Sequence, residues 1–474
     1  MTIESNAPLD AIAAVVGAKG IIADREAMAP YLVEERGLYR GAARLVVRPA
    51  STAEVAAVVQ ICAEARLPIV PQGGNTGLVG AAVPPEDGST ILLSLGRMNA
   101  VRAIDPIDHT ITVEAGCILA DVQRAAADAD RLFPLSLGAE GSCQIGGNLA
   151  TNAGGIAVLR YGSMRDLTLG VEVVMPDGAV WDGLRALRKD NTGYDLKQLF
   201  IGSEGTLGII TAATLKLFPR PREVETAFLG LPRVADAMTL FARAREASGD
   251  QLTAFELIPR IGIEMALRHV PGTADPLTSR HRWHVLLEVS SSQTGSGLRA
   301  SLEGFLERAM GDGLVADGII ATSAAQSRAL WRIREGMVEG QKHEGGSIKH
   351  DVSVPVSKVA DFIVAATDAV ERTLPGIRPV AFGHVGDGNV HFNLSQPMGA
   401  DTRVYLARWA EFNHLVHDLV RRFDGSISAE HGIGRLKREE LPHYKGALEL
   451  ELMRKLKRAL DPLGLMNPGK VLLP

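Results

Sequence analysis

The chain has 474 residues, 46% hydrophobic and 22% charged, so it is long enough for two domains, with three as an upper expectation. A formal net charge of -5 gives no electrostatic attraction to nucleic acid, so we expect small molecules as partners. No run of about 18 apolar residues predicts a membrane span. There is no basic leader with a small-residue cleavage site, and Cys62, Cys117 and Cys143 form no Cys-x-x-Cys pattern, so we predict a cytoplasmic protein without a cysteine metal site.

The first half of the chain predicts helices alternating with strands. An amphipathic helix and a turn are expected over residues 8–30, and Ser51-Thr52-Ala53-Glu54 is a capping box that starts a helix through about Ala65. The β-rich runs after it predict strands at 67–72, Thr90–Ser94 and Thr110–Glu114, then a helix over Leu119–Ala129 and a hairpin over Val171–Val180 around Pro-Asp-Gly.

The second half predicts an α+β pattern with fewer glycine clusters. Pro219 and Pro221 mark a boundary, and further along the pattern predicts a helix over Val234–Ala247, a strand over Trp283–Ser290 and a charged amphipathic helix over Leu448–Leu460. The fold class predicted for the whole chain is α+β. We place domain limits at 1–222, 223–420 and 421–474.

Many of the 50 glycines lie in three islands, at 73–80, 138–155 and 202–208. Backbone N–H groups in glycine-rich loops can surround a phosphate without a charged side chain. The islands match neither a P-loop nor a Gly-x-Gly-x-x-Gly turn between a strand and a helix. One island alone is as well explained as a surface loop, but three in the same half favour a large polar cofactor.

Two of the 12 histidines lie in the segment GHVGDGNVHFN, residues 383–393. If Asp387-Gly388 form a two-residue hairpin turn, His384 pairs with His391, with Cβ atoms ~4.5 to 5.5 Å apart. Glu430 offers a carboxylate, and two imidazoles with one carboxylate can bind zinc, iron(II) or manganese. A cross-strand surface pair of histidines explains the hairpin equally well, so the residues alone leave both interpretations open.

Taken together, the three glycine islands, GHVGDGNVHFN, Ser428-Ala-Glu-His-Gly-Ile-Gly434 and Asn467-Pro-Gly-Lys470 resemble the FAD-linked oxidases of the vanillyl-alcohol oxidase superfamily. The similarity is greatest to the branch of D-lactate and D-2-hydroxyglutarate dehydrogenases. It implies a two-subdomain, PCMH-type FAD-binding domain over 1–222 and an α+β substrate (cap) domain with an antiparallel sheet over 223–420. The segment 421–474 would complete the active site, with its helices returning to the FAD domain.

The resemblance also implies which residues contact FAD. These are residues of the three islands together with one asparagine near the C-terminus: Gln72, Gly73, Gly74, Asn75, Thr76, Gly77, Gly138, Ser142, Gly146, Gly147, Thr151, Asn152, Gly155, Glu204, Gly208, Ile209 and Asn467. Covalent flavoproteins of the superfamily carry a histidine after the double glycine, where this chain has Asn75. Because an amide cannot form that bond, we expect non-covalent FAD.

The same resemblance implies a metal centre and a catalytic set. His384, His391 and Glu430 take the positions of the metal ligands, with zinc expected, and the position of His431 is that of the catalytic base. Arg334 matches the arginine that binds the substrate carboxylate, and Asn393 and Asn467 are expected to hold substrate or flavin edge groups.

Two features bear on the substrate in opposite directions. Lys349 matches a lysine of members that oxidise the dicarboxylate 2-hydroxyglutarate, but those members carry a threonine where this chain has Val338. We favour D-2-hydroxyglutarate, with D-lactate next.

The predicted function is oxidation of a D-2-hydroxy acid by a metal-assisted FAD enzyme, with an electron-acceptor protein or a quinone as partner and a homodimer as the assembly. The alternative is a flavin-bearing subunit of a glycolate-oxidising complex that is inert alone. A flavin carrier without activity is the least favoured, because it would not need a metal set beside a base and an arginine.

Overall fold

The structure is a computed structural model that describes residues 7–473. Its strands, in chain order, are β1 Ile21–Ile22, β2 Leu45–Val47, β3 Ile69–Gln72, β4 Ile91–Ser94, β5 Val101–Asp105, β6 Thr110–Glu114, β7 Arg131–Leu132, β8 Thr168–Val174, β9 Val180–Gly183, β10 Ile209–Lys216, β11 Phe218–Pro219, β12 Glu223–Leu231, β13 Leu252–Pro259, β14 Trp283–Ser291, β15 Asp317–Ile320, β16 Ser347–Ser353, β17 Arg378–Phe382 and β18 Asn389–Ser395.

The helices are α1 Ala7–Val16, α2 Arg25–Met28, α3 Thr52–Ala65, α4 Leu119–Asp128, α5 Ile145–Ala150, α6 Val158–Tyr161, α7 Lys197–Phe200, α8 Val234–Ser248, α9 Arg260–His269, α10 Leu298–Gly311, α11 Ala324–Lys342, α12 Val359–Thr373, α13 Thr402–Leu406, α14 Trp409–Arg422, α15 Leu441–Tyr444 and α16 Ala447–Leu460. Within residues 7–473, no helix combines the length and the apolar character needed to cross a membrane.

The chain forms two compact units. The first comprises Met1–Gly154, Gly162–Arg220 and His431–Pro474. It contains a four-stranded sheet in the order β1-β2-β4-β3 and a five-stranded antiparallel sheet in the order β5-β6-β10-β8-β9. One core cluster packs α3 on the first sheet through buried aliphatic side chains such as Val55, Val59 and Leu93.

The second unit comprises Gly155–Tyr161 and Pro221–Glu430. It has two antiparallel sheets, ordered β13-β14-β12-β15 and β16-β18-β17. The edge strands β13 and β17 are joined by a bridge in which Leu257 and Gly383 exchange both backbone hydrogen bonds, at 3.0 and 3.2 Å. The two sheets therefore continue into one another at this point.

Most of the local predictions are confirmed. Helix α3 begins after Ser51, whose hydroxyl accepts from the Glu54 N–H at 3.2 Å, and it ends at Ala65 as predicted. The Pro-Asp-Gly hairpin joins β8 to β9 with Val174 opposite Val180. The predicted strands at 67–72, 90–94, 110–114 and 283–290 and the helices at 119–129, 234–247 and 448–460 lie within one or two residues of β3, β4, β6, β14, α4, α8 and α16.

The domain limits 1–222, 223–420 and 421–474 stay a prediction. The compact units change at 220/221 and at 430/431, and the short segment Gly155–Tyr161 belongs to the second unit. The predicted limit at 222 places the whole glycine island at 138–155 in the first domain.

Candidate functional site

The three glycine islands meet in the first unit. The backbone of Gly74 approaches the second island so closely that a Cβ there would lie 2.1 Å from the Ser142 carbonyl oxygen. The third island is attached to the second by backbone hydrogen bonds from Gly202 to Leu149, at 2.9 Å, and from Glu204 to Ala150, at 2.8 Å. Segments far apart in the sequence thus form one glycine-lined surface.

Several glycines of this surface have open space where a side chain would point. A Cβ placed on Gly77, Gly138 or Gly147 would meet no atom within 4 Å, so protein packing does not require glycine there. Bare backbone facing open space can accept a ligand at close range. The Gln144 Oε1 and Asn467 Oδ1 atoms are buried and lack a hydrogen-bond partner among residues 7–473, as expected where a polar group is to be bound. These features fit a nucleotide such as FAD.

Other predicted cofactor residues have structural roles in this unit. Gln72 donates from Nε2 to the carbonyls of Tyr31 and Ala82 at 2.8 and 2.9 Å, and Asn75 donates to that of Val33 at 2.8 Å. Asn152 accepts from the Arg165 N–H at 2.8 Å. The side chains of these three residues stabilise the loops through hydrogen bonds to backbone groups. Their own backbone groups can still contact a cofactor.

A second group of predicted cofactor residues is explained by close packing. A Cβ on Gly146 would lie 2.8 Å from the Ala115 Cβ, and one on Gly208 would lie 2.9 Å from the Val173 Cγ1. Ile209 starts β10 inside the core cluster. Thr151 donates its hydroxyl to the Gly147 carbonyl at 3.1 Å, whereas Ser142 is exposed and Thr76 half-buried.

Glu204 organises the segment that follows His431. Its carboxylate is buried and accepts from the N–H groups of Ile433, at 2.7 Å, and Gly434, at 2.8 Å, and burial raises its pKa. Its backbone carbonyl accepts from Asn467 Nδ2 at 2.7 Å. Glu204 and Asn467, both predicted to contact FAD, therefore connect the third glycine island to the C-terminal segment.

These glycines allow FAD binding to be tested separately from folding. We expect Gly138→Ala to weaken FAD binding by roughly tenfold, or ~1.4 kcal/mol, without destabilising the FAD-free protein. Gly74→Ala should lower the free energy of unfolding of the FAD-free protein because its new Cβ would collide with Ser142.

The measurement is FAD titration and denaturant unfolding after acid release of the flavin, with Gly311→Ala as a control because its Cβ would also meet open space. An unchanged FAD affinity in Gly138→Ala would contradict the predicted contact between Gly138 and FAD. Flavin that stays attached after acid treatment would contradict the predicted non-covalent binding.

In the second unit, the predicted two-residue hairpin around Asp387-Gly388 is wrong. Strand β17 ends at Phe382, which is the residue opposite His391, and residues 383–388 form a longer loop before β18. The pairing of Gly383 with Leu257 diverts the chain, so His384 lies outside the ladder. Gly388 has φ +90 and lies against the Val354 carbonyl, 2.3 Å from where a Cβ would be, so only glycine fits.

The predicted metal ligands nevertheless come together. One ligand atom from each of His384, His391 and Glu430 lies within 4.8 Å of the other two. His384 is buried, and the other two are half-buried. Two imidazoles and a carboxylate at this spacing form a suitable donor set for a divalent cation such as zinc.

Glu430 reaches this cluster because residues 426–430 run along the edge strand β16. Ser426 and Ser353 exchange backbone hydrogen bonds at 2.8 and 3.1 Å, and the Glu430 N–H donates to the Asp351 carboxylate at 2.9 Å. Asp351 also lies opposite His391 in the sheet, with 3.6 Å between Asp351 Oδ1 and His391 Nδ1. The backbone of Gly155 hydrogen-bonds the Glu430 side chain, a role that differs from the flavin contact predicted for it.

A second buried carboxylate, Glu256 on β13, holds two predicted site residues. Its Oε2 accepts from Arg334 Nε at 2.6 Å, and its Oε1 lies 2.5 Å from His384 Nδ1. Burial by itself would raise the pKa of Glu256, but the charges of His384 and Arg334 lower it to about 2. Burial would likewise lower the pKa of His384, but the charge of Glu256 raises it to about 9.

The charge balance around Glu430 also favours a cation. Burial raises the pKa of Glu430 to about 7; His384 opposes this increase and the Asp351 carboxylate adds to it. A divalent cation bound at the cluster would favour the ionised form of both carboxylates.

Arg334 lies on α11 and is buried. It is 7% exposed, and its guanidinium lies 4.9 Å from the centre of the Phe382 ring. Within residues 7–473, its two terminal nitrogens have no hydrogen-bond partner. They remain donors for an anion.

Lys349 and Asn393 lie opposite one another on neighbouring strands, as do Asp351 and His391 two residues along. Because strand side chains alternate, these four share one face of the sheet. Asn393 donates to Gln341 Oε1 at 2.9 Å, and Gln341 Nε2 is buried without a partner among residues 7–473.

Three residues of this region were missed by sequence reasoning: Glu256, Asp351 and Gln341. Glu256 could have been noticed because it is the one acidic residue within an apolar strand. Asp351 lies two residues after Lys349 in β16, so the two side chains point to the same face of the strand. His431 follows Glu430 directly in the chain and is half-buried.

Two family models match the chain. Residues 43–183 match the family model described as FAD binding domain, and residues 220–471 match the one described as FAD linked oxidases, C-terminal domain. A D-2-hydroxyglutarate dehydrogenase from Arabidopsis thaliana is 38% identical over 97% of this chain and 80% of its own length. The one from Danio rerio is 42% identical over 91% of this chain and 79% of its own length.

Solved structures show the same fold. A p-cresol methylhydroxylase superposes with a TM-score of 0.76 at 16% identity, covering 99% of this chain and 97% of its own. An alkyldihydroxyacetonephosphate synthase gives 0.74 at 18% identity, covering 98% and 85%. The predicted α+β architecture and the family resemblance are confirmed. The chain belongs to the FAD-linked oxidases, a family of flavin-dependent oxidoreductases.

Proposed function

We propose that this protein oxidises a D-2-hydroxy acid to the 2-oxo acid, with non-covalent FAD as hydride acceptor and a divalent cation, zinc, at His384, His391 and Glu430. D-2-hydroxyglutarate is the preferred substrate and D-lactate the next. The convergence of the three ligand atoms within 4.8 Å of one another is the observation that carries this proposal. Relatives named D-2-hydroxyglutarate dehydrogenase, aligned along 91–97% of the chain, support the substrate class.

The reaction removes a hydride and a proton from one CH–OH group and leaves a C=O. Bound FAD would supply the hydride acceptor at N5, and a divalent cation held by His384, His391 and Glu430 would lower the pKa of the substrate hydroxyl. His431 takes the hydroxyl proton, a role suited to an imidazole. Arg334 binds the substrate carboxylate through its free terminal nitrogens, because a planar guanidinium matches a planar anion. Asn393 and Asn467 hold substrate or flavin edge groups.

Lys349 accounts for the preference for a dicarboxylate. It lies opposite Asn393 on the face that also carries His391, and an ammonium there would bind a second carboxylate. The half-buried position would strengthen that ion pair relative to one in bulk water. Val338, which opposed this preference in the sequence, is 40% exposed on α11.

The reduced flavin must pass on two electrons, and we propose an electron-acceptor protein or a quinone as the oxidant. A Saccharomyces cerevisiae relative, 36% identical over 91% of this chain and 87% of its own length, is named a D-2-hydroxyglutarate–pyruvate transhydrogenase, so a 2-oxo acid is a further class to examine. Several relatives are named as mitochondrial, and the cytoplasmic location stays a prediction, as does the homodimer.

Anaerobic flavin bleaching tests the proposed function. The purified chain should lose its flavin absorbance with D-2-hydroxyglutarate and, more slowly, with D-lactate, but not with the L-enantiomers, and it should reduce an artificial dye. Lys349→Met should raise KM for D-2-hydroxyglutarate by about 10- to 100-fold, the size of one lost charge-assisted hydrogen bond, and leave D-lactate nearly unchanged.

Arg334→Ala should impair both substrates and leave FAD bound, whereas Lys342→Met, an exposed change on α11, should affect neither. No bleaching with any 2-hydroxy acid would contradict the proposal. Bleaching without dye reduction would favour the subunit of a larger complex.

A further inference from the structure

Glu256 is a carboxylate without solvent exposure that contacts two different predicted site residues. One carboxylate oxygen accepts a hydrogen bond from Arg334 Nε at 2.6 Å, and the other lies 2.5 Å from His384 Nδ1. These partners are separated from it by 78 and 128 positions in the chain. A buried carboxylate is stable only when such partners compensate its desolvation.

The backbone fixes the distance between Glu256 and His384. The residue after Glu256 is Leu257 and the residue before His384 is Gly383, and these two exchange backbone hydrogen bonds at 3.0 and 3.2 Å. Gly383 has φ +138, and a Cβ there would lie 3.0 Å from the Asn389 carbonyl oxygen. The pairing of β13 with the end of β17 therefore sets the carboxylate against the imidazole before any ligand binds.

This contact determines which nitrogen of His384 is available for a cation. Because Nδ1–H is donated to Glu256, Nε2 is the nitrogen that can offer a lone pair to a metal. Metal-binding histidines commonly donate their other N–H to a carboxylate, which fixes the ring orientation and raises its basicity.

The same carboxylate orients Arg334. Glu256 holds Nε, and the Phe382 ring lies 4.9 Å from the guanidinium carbon, so one edge and one face of the guanidinium are in contact with protein. The terminal nitrogens are left to bind an anion. Without Glu256, the arginine would lose the contact that sets its plane.

We propose that Glu256 is a positioning residue that fixes the metal ligand His384 and the anion-binding Arg334 relative to each other, so that cation affinity and carboxylate affinity depend on one side chain. This rests on the proposed function. Glu256 touches neither substrate nor cation in this role. It acts through the two residues that do.

The test compares Glu256→Gln with Glu288→Gln. Glu288 lies on the neighbouring strand β14 and accepts from Trp331 Nε1 at 2.9 Å and Thr226 Oγ1 at 3.1 Å, so the control makes the same substitution at a hydrogen-bonded side chain of the same sheet. In Glu256→Gln an amide –NH₂ would face either Arg334 or His384. In the first case the Arg334 contact is lost, and in the second His384 Nδ1 must accept, which places the imidazole proton on Nε2 and removes the lone pair offered to a cation.

We expect zinc to bind the FAD-loaded, metal-stripped Glu256→Gln protein about 10- to 100-fold more weakly than wild type, measured by competition with a chromophoric chelator. Calorimetry of the zinc-saturated proteins with 2-oxoglutarate should show a weaker Kd in Glu256→Gln, and KM should change more than kcat. Glu288→Gln should match wild type in zinc and 2-oxoglutarate affinity.

Each outcome separates this proposal from the function on which it rests. Wild-type protein that binds neither zinc nor 2-oxoglutarate overturns the proposed function. Wild-type protein that binds both, beside a Glu256→Gln protein with the same two affinities, overturns the positioning role alone. If Glu256→Gln does not fold, Glu256→Asp retains the charge on a shorter side chain, and zinc affinity equal to that of wild type would then overturn the proposal.

Discussion

His391→Asn is expected to lose its bound divalent cation and to reduce its flavin about 100-fold more slowly, or slower still, with D-2-hydroxyglutarate. A Lewis acid at a reacting oxygen contributes several kcal/mol to the rate, and each ~1.4 kcal/mol is a factor of ten. Because the glycine-lined surface belongs to the other unit, FAD content should stay the same. Metal analysis and stopped-flow anaerobic reduction measure the two effects.

The matched control is His414→Asn, the same substitution at an exposed position on α14 of the same unit. It should keep both metal and rate. If His391→Asn retained one divalent ion per chain and the wild-type rate, the assignment of the three ligands would be incorrect.

His431→Ala is expected to slow flavin reduction by about 10²- to 10⁴-fold, the usual contribution of a positioned general base. The cation should remain bound, because alanine at 431 leaves His384, His391 and Glu430 in place. This separates the variant from His391→Asn, in which metal and rate are lost together. Added imidazole should restore part of the rate if the missing group is a proton acceptor.

The control for this variant is His443→Ala, an exposed histidine in α15 of the first unit. Unchanged reduction kinetics in His431→Ala would exclude His431 as the base. Loss of the cation in that variant would assign His431 to the metal centre.

Local sequence patterns were sufficient to predict the elements that depend on residues close together in the chain. The capping box at Ser51 and the Pro-Asp-Gly hairpin are examples, since each depends on residues within a few positions of one another. The Asp387-Gly388 turn failed for the opposite reason. A distant strand residue, Leu257, pairs with Gly383 and takes His384 out of the hairpin that the local signal favoured.

The residues predicted as metal ligands come together in the structure, although not through the hairpin that the local signal favoured. His391 lies in a ladder, His384 in a loop attached to β13, and Glu430 in a segment that follows β16. The convergence of three separate backbone paths produced the cluster.

The sequence by itself determined the chemical inventory of this protein: the glycine islands, the two imidazoles with an acid downstream, and the local helices and strands. Those features depend on residue type and short spacing. Only the tertiary structure decided that Glu256 would stand between His384 and Arg334, and that Asp351 would support His391 and Glu430. These contacts join residues many positions apart through strand pairing and burial. A short-range sequence pattern does not indicate which distant strand will pair with a given segment.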